Sequence, residues 1–206
     1  MKDIIIKKYH SEEFVYTENE LNNLRPIIEA YMAILSDGRY NKIELEELTK
    51  PVPPKTDKAY EKLQLIHYMM ELLTEEAEIF ILEKFDETKN KNIPAAMALY
   101  TKMDNSNQYL LEFVETRQGY QGCNFAQYLL KESFYQLKEL GALAIHAHVN
   151  INNKASINLN ESLGTIHKAI RTPATPDVID YIHVVSDNLI KKIKQIQKKK
   201  ESEMQH

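Results

Sequence analysis

Apolar residues recur along the chain with two periods, one typical of helices and the other typical of strands. The helical period predicts helices at about 20–35, 58–73, 124–140, 154–163 and 189–200. Short apolar runs predict strands at about 4–7, 78–84, 93–101, 108–114, 142–149, 165–171 and 181–185. Polar turns join the three strands between 78 and 114, so we expect an antiparallel meander in the middle of the chain.

Length and composition predict a single domain over residues 1–206. Of these 206 residues, 43% are hydrophobic and 27% are charged, which is ordinary for a globular α/β or α+β domain. Within the domain we expect a helical region at 1–75, a sheet-containing core at 78–187 and a basic tail helix at 188–206. The sequence shows no internal repeat.

The charge balance disfavours a nucleic-acid partner. The formal net charge is -4, so there is no overall basic field to attract phosphate backbones. Residues 1–120 carry a charge of -7 and residues 121–206 carry +3. This asymmetry is compatible with a cationic substrate and an anionic cofactor, and equally with neither, because the basic excess lies in the tail. A solvated terminal helix is the simplest reading of the six lysines at 190–200, and its apolar side would suit a homodimer contact.

Cysteine usage and hydropathy favour a reducing, cytoplasmic compartment. Cys123 is the single cysteine of the chain, which excludes an internal disulfide and a multi-cysteine zinc site. No apolar run approaches the roughly 20 residues needed to span a bilayer, so we expect no membrane partner. Residues 1–8 do not have the pattern of a signal peptide. His146 and His148 lie two positions apart on a predicted strand without an evident third ligand, so we expect no metal.

The loop at 121–126 stands between a predicted strand and a predicted helix. The first turn of a helix presents backbone N–H groups without partners and a partial positive charge. Small residues there let a diphosphate approach the backbone closely. Taken alone, such a loop is more often a simple turn than a phosphate site.

The loop and a second segment resemble motifs of the GNAT acetyltransferases. Residues 121–126 are similar to the acyl-CoA signature Q/R-x-x-G-x-G/A, with Gln121 at the first position and Ala126 at the last. Residues 150–164 are similar to the second motif of that family, N-x-x-A/S-x-x-L-Y-x-x-x-G. The resemblance covers about 78–187 by element order and 114–164 by motif. It implies an α/β (α+β) fold with a mixed, mostly antiparallel sheet and helices on both faces.

The resemblance also implies a cofactor and a set of contacts. Acetyl-CoA would be the co-substrate, held at its pyrophosphate by the backbone of Gln121, Gly122, Cys123, Asn124, Phe125 and Ala126. The backbone of Val114 and Thr116 would pair with pantetheine and polarise the thioester carbonyl. Asn153 and Ser156 would touch the pantetheine arm. The strands that carry Val114 and Val149 would splay apart to admit the cofactor.

The implied activity is transfer of an acetyl group to a primary amine by direct attack in a ternary complex. The acceptor would be a small-molecule or peptide amine bound by the helical region at 1–75, where the sequence shows no motif. Two alternatives stay open. One is an acyl-CoA-binding module that does not catalyse transfer, and the other is an interaction protein that keeps the fold without the cofactor.

Two positions depart from the family pattern. Asn124 replaces the middle glycine of the loop, and asparagine tolerates unusual backbone angles better than most residues. Asn160 occupies the position where the family often has a tyrosine that protonates the leaving thiolate. An amide has no usable acidic proton, so Asn160 can orient or hydrogen-bond but cannot be the general acid.

Glu112 and His148 are the candidate side chains for proton transfer. Glu112 lies in an apolar strand, shares a face with Val114 and Thr116 by parity, and can act as a general base. A carboxylate paired with a lysine or arginine is an equally good reading. His148 is nearer than His146 to the strand end that faces the expected site. Glu115 points the other way, and we expect it to be solvated.

Two residues beside the loop have simpler readings. Arg117 is close enough in sequence to neutralise a phosphate, although a solvated arginine is the simpler account. Cys123 lies near a helix N-terminus, but the sequence shows no partner histidine for a nucleophilic thiol. We therefore assign Cys123 to backbone contact with CoA and give it no catalytic role.

Overall fold

A computed structural model describes residues 3–11, 18–103, 106–164 and 166–186. The strands are β1 Ile4–Ser11, β2 Ala77–Asp86, β3 Lys91–Lys102, β4 Gln108–Thr116, β5 Ala144–Asn150, β6 Ile166–Thr172 and β7 Thr175–Val184. The helices are α1 Glu18–Leu35, α2 Tyr60–Leu72, α3 Phe125–Glu139 and α4 Lys154–Ser162. Every element predicted within the described residues is present, with shifts at the ends.

The strands form a seven-stranded sheet in the order β1-β2-β3-β4-β5-β7-β6. The pairs β1–β2, β2–β3, β5–β7 and β6–β7 are antiparallel. The pair β4–β5 is parallel and joins Gln108–Leu110 with Ala144–His146. The predicted mixed, mostly antiparallel sheet is therefore confirmed.

Contacts between residues divide the chain into two compact units. Unit 1 comprises Met1–Thr101 and Phe113–Leu129, and unit 2 comprises Lys102–Glu112 and Leu130–His206. The division falls within β4 and within α3. The expectation of one domain over 1–206 stays a prediction.

The core of unit 1 forms where α1 and α2 pack against β2 and β3. Apolar side chains from all four elements are almost completely buried there, among them Ile28, Met32, Ile66, Met69, Ile79, Ile81, Met97 and Leu99. The methionine-rich stripe of α2 is thus core packing, as the simpler reading of its pattern predicts. Burial of this kind stabilises by roughly 1.5–3 kcal/mol for each large side chain.

Strand β1 continues four residues beyond the predicted end at residue 7, and charged side chains in this extension pair across to β2. Lys7 Nζ lies 2.8 Å from Glu83 Oε1, and Lys8 Nζ lies 3.0 Å from Glu78 Oε2. His10 Nδ1 lies 2.9 Å from Glu78 Oε1. These pairs compensate two largely buried carboxylates, a long-range effect that hydrophobic periodicity does not reveal.

Three further expectations concern the loop between α1 and α2, the C-terminal part of the chain and membrane-spanning helices. The predicted loop between α1 and α2 contains a short 3-10 turn, Leu45–Leu48, that buries Leu48. The predicted tail helix and Thr165 lie outside the described residues. Within the described ranges, no helix combines the length and the apolar character needed to cross a membrane.

Candidate functional site

The loop between β4 and α3 has an unusual backbone at two positions. Gly122 has a φ of 79° and Asn124 has a φ of 61°, both in the left-handed region. Asparagine is one of the few residues that adopt this region readily, so Asn124 preserves a bend in which a glycine would also fit. The carbonyl of Asn124 accepts the N–H of Tyr128 at 3.0 Å and thereby starts α3.

Most of the backbone amides of this loop point away from internal partners. The N–H of Gln121 donates to the Gln118 carbonyl and that of Cys123 to the Tyr120 carbonyl, at 3.2 and 3.3 Å. In the described part of the chain, no backbone acceptor is recorded for the amides of Gly122, Asn124, Phe125 and Ala126. A Cβ built on Gly122 would meet no atom within 4 Å. The loop therefore combines open space, available donors and the positive end of a helix dipole, which suits an anion.

An aromatic pair and a lysine adjoin the loop. The rings of Tyr120 and Phe125 lie 5.8 Å apart between their centroids. Lys84, from β2, places its Nζ 5.6 Å from the centroid of Tyr120. Lys84 is half-buried, and no carboxylate partner is recorded for it within the described ranges. A cation is thus available beside the open amides.

Arg117 ties the loop to the C-terminal end of α1. Its Nε donates to Asp37 Oδ1 at 2.9 Å, and its Nη2 donates to the Asp37 carbonyl at 2.9 Å. The hydrogen bond from Arg117 lowers the pKa of the Asp37 carboxyl. Gly38 has a φ of 83°, a conformation that favours glycine, and a Cβ there would collide with Arg117 Nη2 unless that side chain moved. The expectation of a solvated arginine is wrong, because the Arg117 side chain is 15% exposed and bonded to Asp37.

The end of β4 packs against aromatic side chains of the helices through Phe113. Phe113 contacts the ring of Tyr31 in α1, with 5.4 Å between ring centroids. Tyr31 contacts Tyr68 in α2 at 6.3 Å. Burial, followed by the charges of Tyr68 and Glu115, raises the pKa of the Tyr31 phenol. Tyr31 therefore stays neutral near physiological pH and can donate a hydrogen bond without losing its proton.

Glu115 does not fit the expectation of a simply solvated carboxylate. The residue is exposed as a whole, yet protein surrounds its carboxyl closely enough for burial to raise its pKa. Its neighbours on β4, Val114 and Thr116, are half-buried, as is Glu112. The structure thus places two acidic side chains on β4, one in each unit, where the sequence favoured only Glu112.

In unit 2, two histidines flank one aspartate across β5 and β7. His146 Nδ1 lies 3.5 Å and His148 Nε2 lies 3.6 Å from the same atom, Asp180 Oδ1. That oxygen is buried without a hydrogen bond. His146 Nε2 also lies 2.8 Å from Gln108 Oε1. The His148 side chain is 56% exposed, so it is the histidine of the pair that solvent or a substrate can reach.

Asn153 and Ser156 form the start of α4. The side chain of Asn153 accepts the Ser156 N–H at 3.1 Å, which is an N-cap as the sequence predicts. Capping occupies the side-chain oxygen of Asn153 and leaves its side-chain nitrogen for other contacts. The contacts with pantetheine that the family resemblance implies for these two residues stay predictions.

Asn160 is buried, and its side chain makes two hydrogen bonds. It is 3% exposed, and its Nδ2 donates to the Ser156 carbonyl at 2.9 Å. Its Oδ1 lies 2.8 Å from Nε2 of His183, so in this arrangement the histidine Nε2 carries a proton and donates it. Both ends of the amide are therefore used inside unit 2. This is the orienting role that the amide chemistry allows, and it leaves no free group for acid catalysis.

Replacing Asn160 by leucine should destabilise the fold by about 1–3 kcal/mol, because the buried Nε2–H of His183 loses its acceptor. Asn158 lies on the exposed side of the same helix and provides the matched control. Its replacement by leucine should change the free energy of unfolding by less than about 0.5 kcal/mol. Chemical denaturation measures both variants, and equal effects would show that the Asn160–His183 bond contributes nothing.

Several of these features are absent from the sequence motifs. Lys84, Asp180 and Tyr31 lie in segments whose local pattern predicts only a strand or a helix. Their proximity to the loop, to His148 and to Glu115 depends on pairing between elements far apart in sequence. Among the residues that the structure describes, no group of three histidine, cysteine or acidic side chains is arranged to hold a metal ion.

The sheet is mixed, and its fourth strand leads through a bend of open amides into a helix. This is the arrangement that the resemblance to acetyltransferases implies. Residues 40–165, more than half of the chain, match the acetyltransferase (GNAT) family. The chain belongs to this family, which uses acetyl-CoA as co-substrate. The expected family and co-substrate are therefore confirmed.

Solved structures support the fold. A domain from Methanocaldococcus jannaschii matches with a TM-score of 0.52 and 19% identity, covering 88% of this chain and 97% of that one. A candidate GNAT acetyltransferase from Desulfovibrio desulfuricans matches with a TM-score of 0.50 and 11% identity, covering 89% and 99%. No curated protein matches the sequence significantly. At these identities the likeness extends to the fold alone.

Proposed function

We propose that this protein is an acyl-CoA-dependent N-acyltransferase that moves an acetyl group from acetyl-CoA to a primary amine. One observation carries the proposal: the amides of Gly122, Asn124, Phe125 and Ala126 are open donors at the start of α3 in a chain of the GNAT family. A diphosphate is the group that such a bend accommodates best. Gln121 and Cys123, whose amides are bonded within the loop, hold its shape.

The chemistry requires one proton to leave the acceptor before it attacks. Glu112, directly or through a water, takes a proton from the ammonium and leaves a lone pair on nitrogen. The C–N bond then forms as the C–S bond breaks. The thiolate departs with the electron pair and takes a proton from solvent, and the new amide nitrogen loses its second proton to solvent. The Thr116 N–H steadies the developing oxyanion, and a donor of this kind is worth roughly 2.7–4 kcal/mol in comparable sites.

His148 is the second candidate base. Its imidazole is exposed, and Asp180 lies 3.6 Å from its Nε2 on the neighbouring strand. A carboxylate beside an imidazole can hold the ring in one orientation. Replacement of Glu112 and of His148 in separate variants distinguishes the two, because only loss of the working base lowers turnover without weakening cofactor binding.

Lys84 should supply a positive charge to a CoA phosphate, since Arg117 is committed to Asp37. We expect Lys84→Gln to weaken CoA binding by about 10-fold, the size expected for one partly buried charge-assisted bond. Lys91→Gln, at an exposed position on β3, is the control and should leave affinity unchanged. Calorimetric titration with CoA measures both. Equal affinities of the two variants would remove Lys84 from the phosphate site.

The proposal is tested by following release of free thiol from acetyl-CoA with a panel of primary amines. Amine-dependent release is the expected result. A protein whose melting temperature rises with acetyl-CoA but which releases no thiol would instead be a non-catalytic acyl-CoA-binding module. The buried amide of Asn160 favours that alternative, because it replaces the tyrosine that the family often uses as acid. We further propose a cytoplasmic location and a small-molecule or peptide acceptor.

A further inference from the structure

The C-terminal end of α1 is bonded to the residues that lead from β4 into the cofactor loop, residues 121–126. Asp37 accepts Arg117 Nε at its Oδ1 and Arg117 Nη2 at its backbone carbonyl, both at 2.9 Å. The Asp37 carboxylate also accepts the backbone N–H of Gly119. We call these three bonds the Asp37 clamp. All three residues belong to unit 1, so the clamp lies within one compact unit.

The backbone of Asp37 has an uncommon conformation at the point where it makes the clamp. Its φ is 51°, and the next residue, Gly38, has a φ of 83°. The N–H of Gly38 donates to the Ala33 carbonyl at 2.7 Å, which closes the end of α1. Aspartate and asparagine are the non-glycine residues that adopt the left-handed region most readily. Asparagine can therefore replace Asp37 without added backbone strain, which isolates the effect of the charge.

A series of short hydrogen bonds runs from the clamp to the open amides of the loop. The N–H of Arg117 donates to the Ala95 carbonyl of β3 at 2.9 Å, so the clamped residue is also fixed to the sheet. Its carbonyl accepts the Tyr120 N–H at 2.8 Å, and the Tyr120 carbonyl accepts the Cys123 N–H at 3.3 Å. Cys123 lies between two of the open amides. Bonds that each join residues three positions apart thus connect the clamp with the start of α3.

The charge of Asp37 works against cofactor binding unless the carboxylate has a structural task. A carboxylate beside an anion site repels the anion, and this one also occupies the Arg117 guanidinium, which could otherwise pair with a phosphate. The hydrogen bond from Arg117 lowers the pKa of the Asp37 carboxyl, so the acid is charged at neutral pH. Removal of that charge should therefore strengthen CoA binding if charge dominates, and weaken it if the clamp shapes the loop.

We propose that Asp37 is a positioning residue for the cofactor loop, whose clamp on Arg117 and Gly119 sets the bend that leaves the amides at 122 and 124–126 open. The inference rests on the proposed function, because that function assigns those amides to the diphosphate of CoA. Asp37 acts through the loop backbone and does not touch the cofactor. The affinity of the loop for CoA thus depends on a residue 80 positions before Arg117 in the chain.

Calorimetric titration of the full-length protein with CoA tests the proposal. Asp37→Asn should weaken CoA binding by about 3- to 10-fold and leave the binding of pantetheine, which lacks the diphosphate, unchanged. Arg117→Lys keeps the charge and loses the planar fork, so it should weaken CoA binding similarly. The double variant should bind CoA no more weakly than the weaker single variant, because both changes break the same link. Glu87→Gln, at an exposed position in the β2–β3 turn, is the control and should bind CoA as the unaltered protein does.

Glycine amides report on the loop in the absence of CoA. The chain has five glycines, so protein made with isotope-labelled glycine gives five amide signals in a nitrogen–proton NMR spectrum. Asp37→Asn should shift the signal of Gly122, because the clamp no longer sets the bend. The signals of Gly141 and Gly164, which belong to unit 2, should stay in place. Glu87→Gln should leave all five signals in place.

The outcomes separate this inference from the proposed function. Tighter or unchanged CoA binding by Asp37→Asn overturns the proposal, and so does a Gly122 signal that does not move. Losses of affinity that add in the double variant overturn it as well, because Asp37 and Arg117 would then act independently. If the unaltered protein does not bind CoA while Asp37→Asn still shifts the Gly122 signal, the clamp stands as the determinant of the bend, and the diphosphate seat and the proposed function are wrong.

Discussion

Replacing Glu112 by glutamine should lower the turnover of acetyl transfer by about 10²–10⁴-fold, the usual contribution of a positioned general base. Glutamine keeps the size of the side chain but cannot take a proton from the ammonium. The affinity for CoA should change by less than about 2-fold, because Glu112 has no part in holding the diphosphate. Steady-state thiol release gives the turnover, and calorimetry gives the affinity.

Glu115→Gln is the matched comparison for this variant, since both residues are carboxylates of β4 and alternation along the strand points them to opposite faces. It should leave kcat within about 10-fold, because the proposed base is Glu112. Turnover of Glu112→Gln equal to that of the unaltered protein would remove Glu112 from the mechanism. A steep loss in the His148 variant alone would assign the base to His148.

Substitutions at Asn124 should affect CoA binding according to how well the new residue adopts a left-handed backbone. Asn124→Val forces a β-branched residue into a backbone with a φ of 61°, which costs roughly 1–2 kcal/mol or more. The loop should then adopt another conformation, and CoA should bind about 5- to 30-fold more weakly. Asn124→Gly restores the residue of the family signature and should bind CoA at least as tightly as the unaltered protein.

Both Asn124 variants are compared by titration with CoA and by thermal unfolding without it. Asn124 is exposed, so the glycine and valine variants should differ little in core packing. A valine variant that retains full CoA affinity would show that the left-handed bend is not needed. In that case the open amides of the loop would not be the cofactor seat.

The fold was predictable from sequence because its signals are local. Each strand and helix has its own periodicity, and the loop at 121–126 carries its motif within six residues. The tolerance of Asn124 for an unusual backbone angle was likewise readable from residue type alone, and the observed φ of 61° agrees with it. The extension of β1 was not readable, because it depends on ion pairs with β2 some 70 residues away.

Only the part of the candidate site that consists of backbone groups was predictable from the sequence. Arg117 looked solvated because its partner, Asp37, lies 80 residues earlier at the end of α1. Glu115 looked solvated because the burial that raises the pKa of its carboxyl comes from tertiary packing, which the local pattern does not reveal. The same limit applies to Asn160, whose partner His183 comes from β7. Side-chain roles of this kind depend on tertiary contacts that no local pattern specifies.

Calorimetric comparison of CoA with pantetheine tests the cofactor seat most directly. Pantetheine keeps the thiol arm and lacks the diphosphate and nucleotide that the open amides at 122 and 124–126 would hold. We expect CoA to bind and pantetheine to bind at least 100-fold more weakly. Equal affinity for the two compounds, or no binding of CoA at all, would contradict a diphosphate seat at the start of α3.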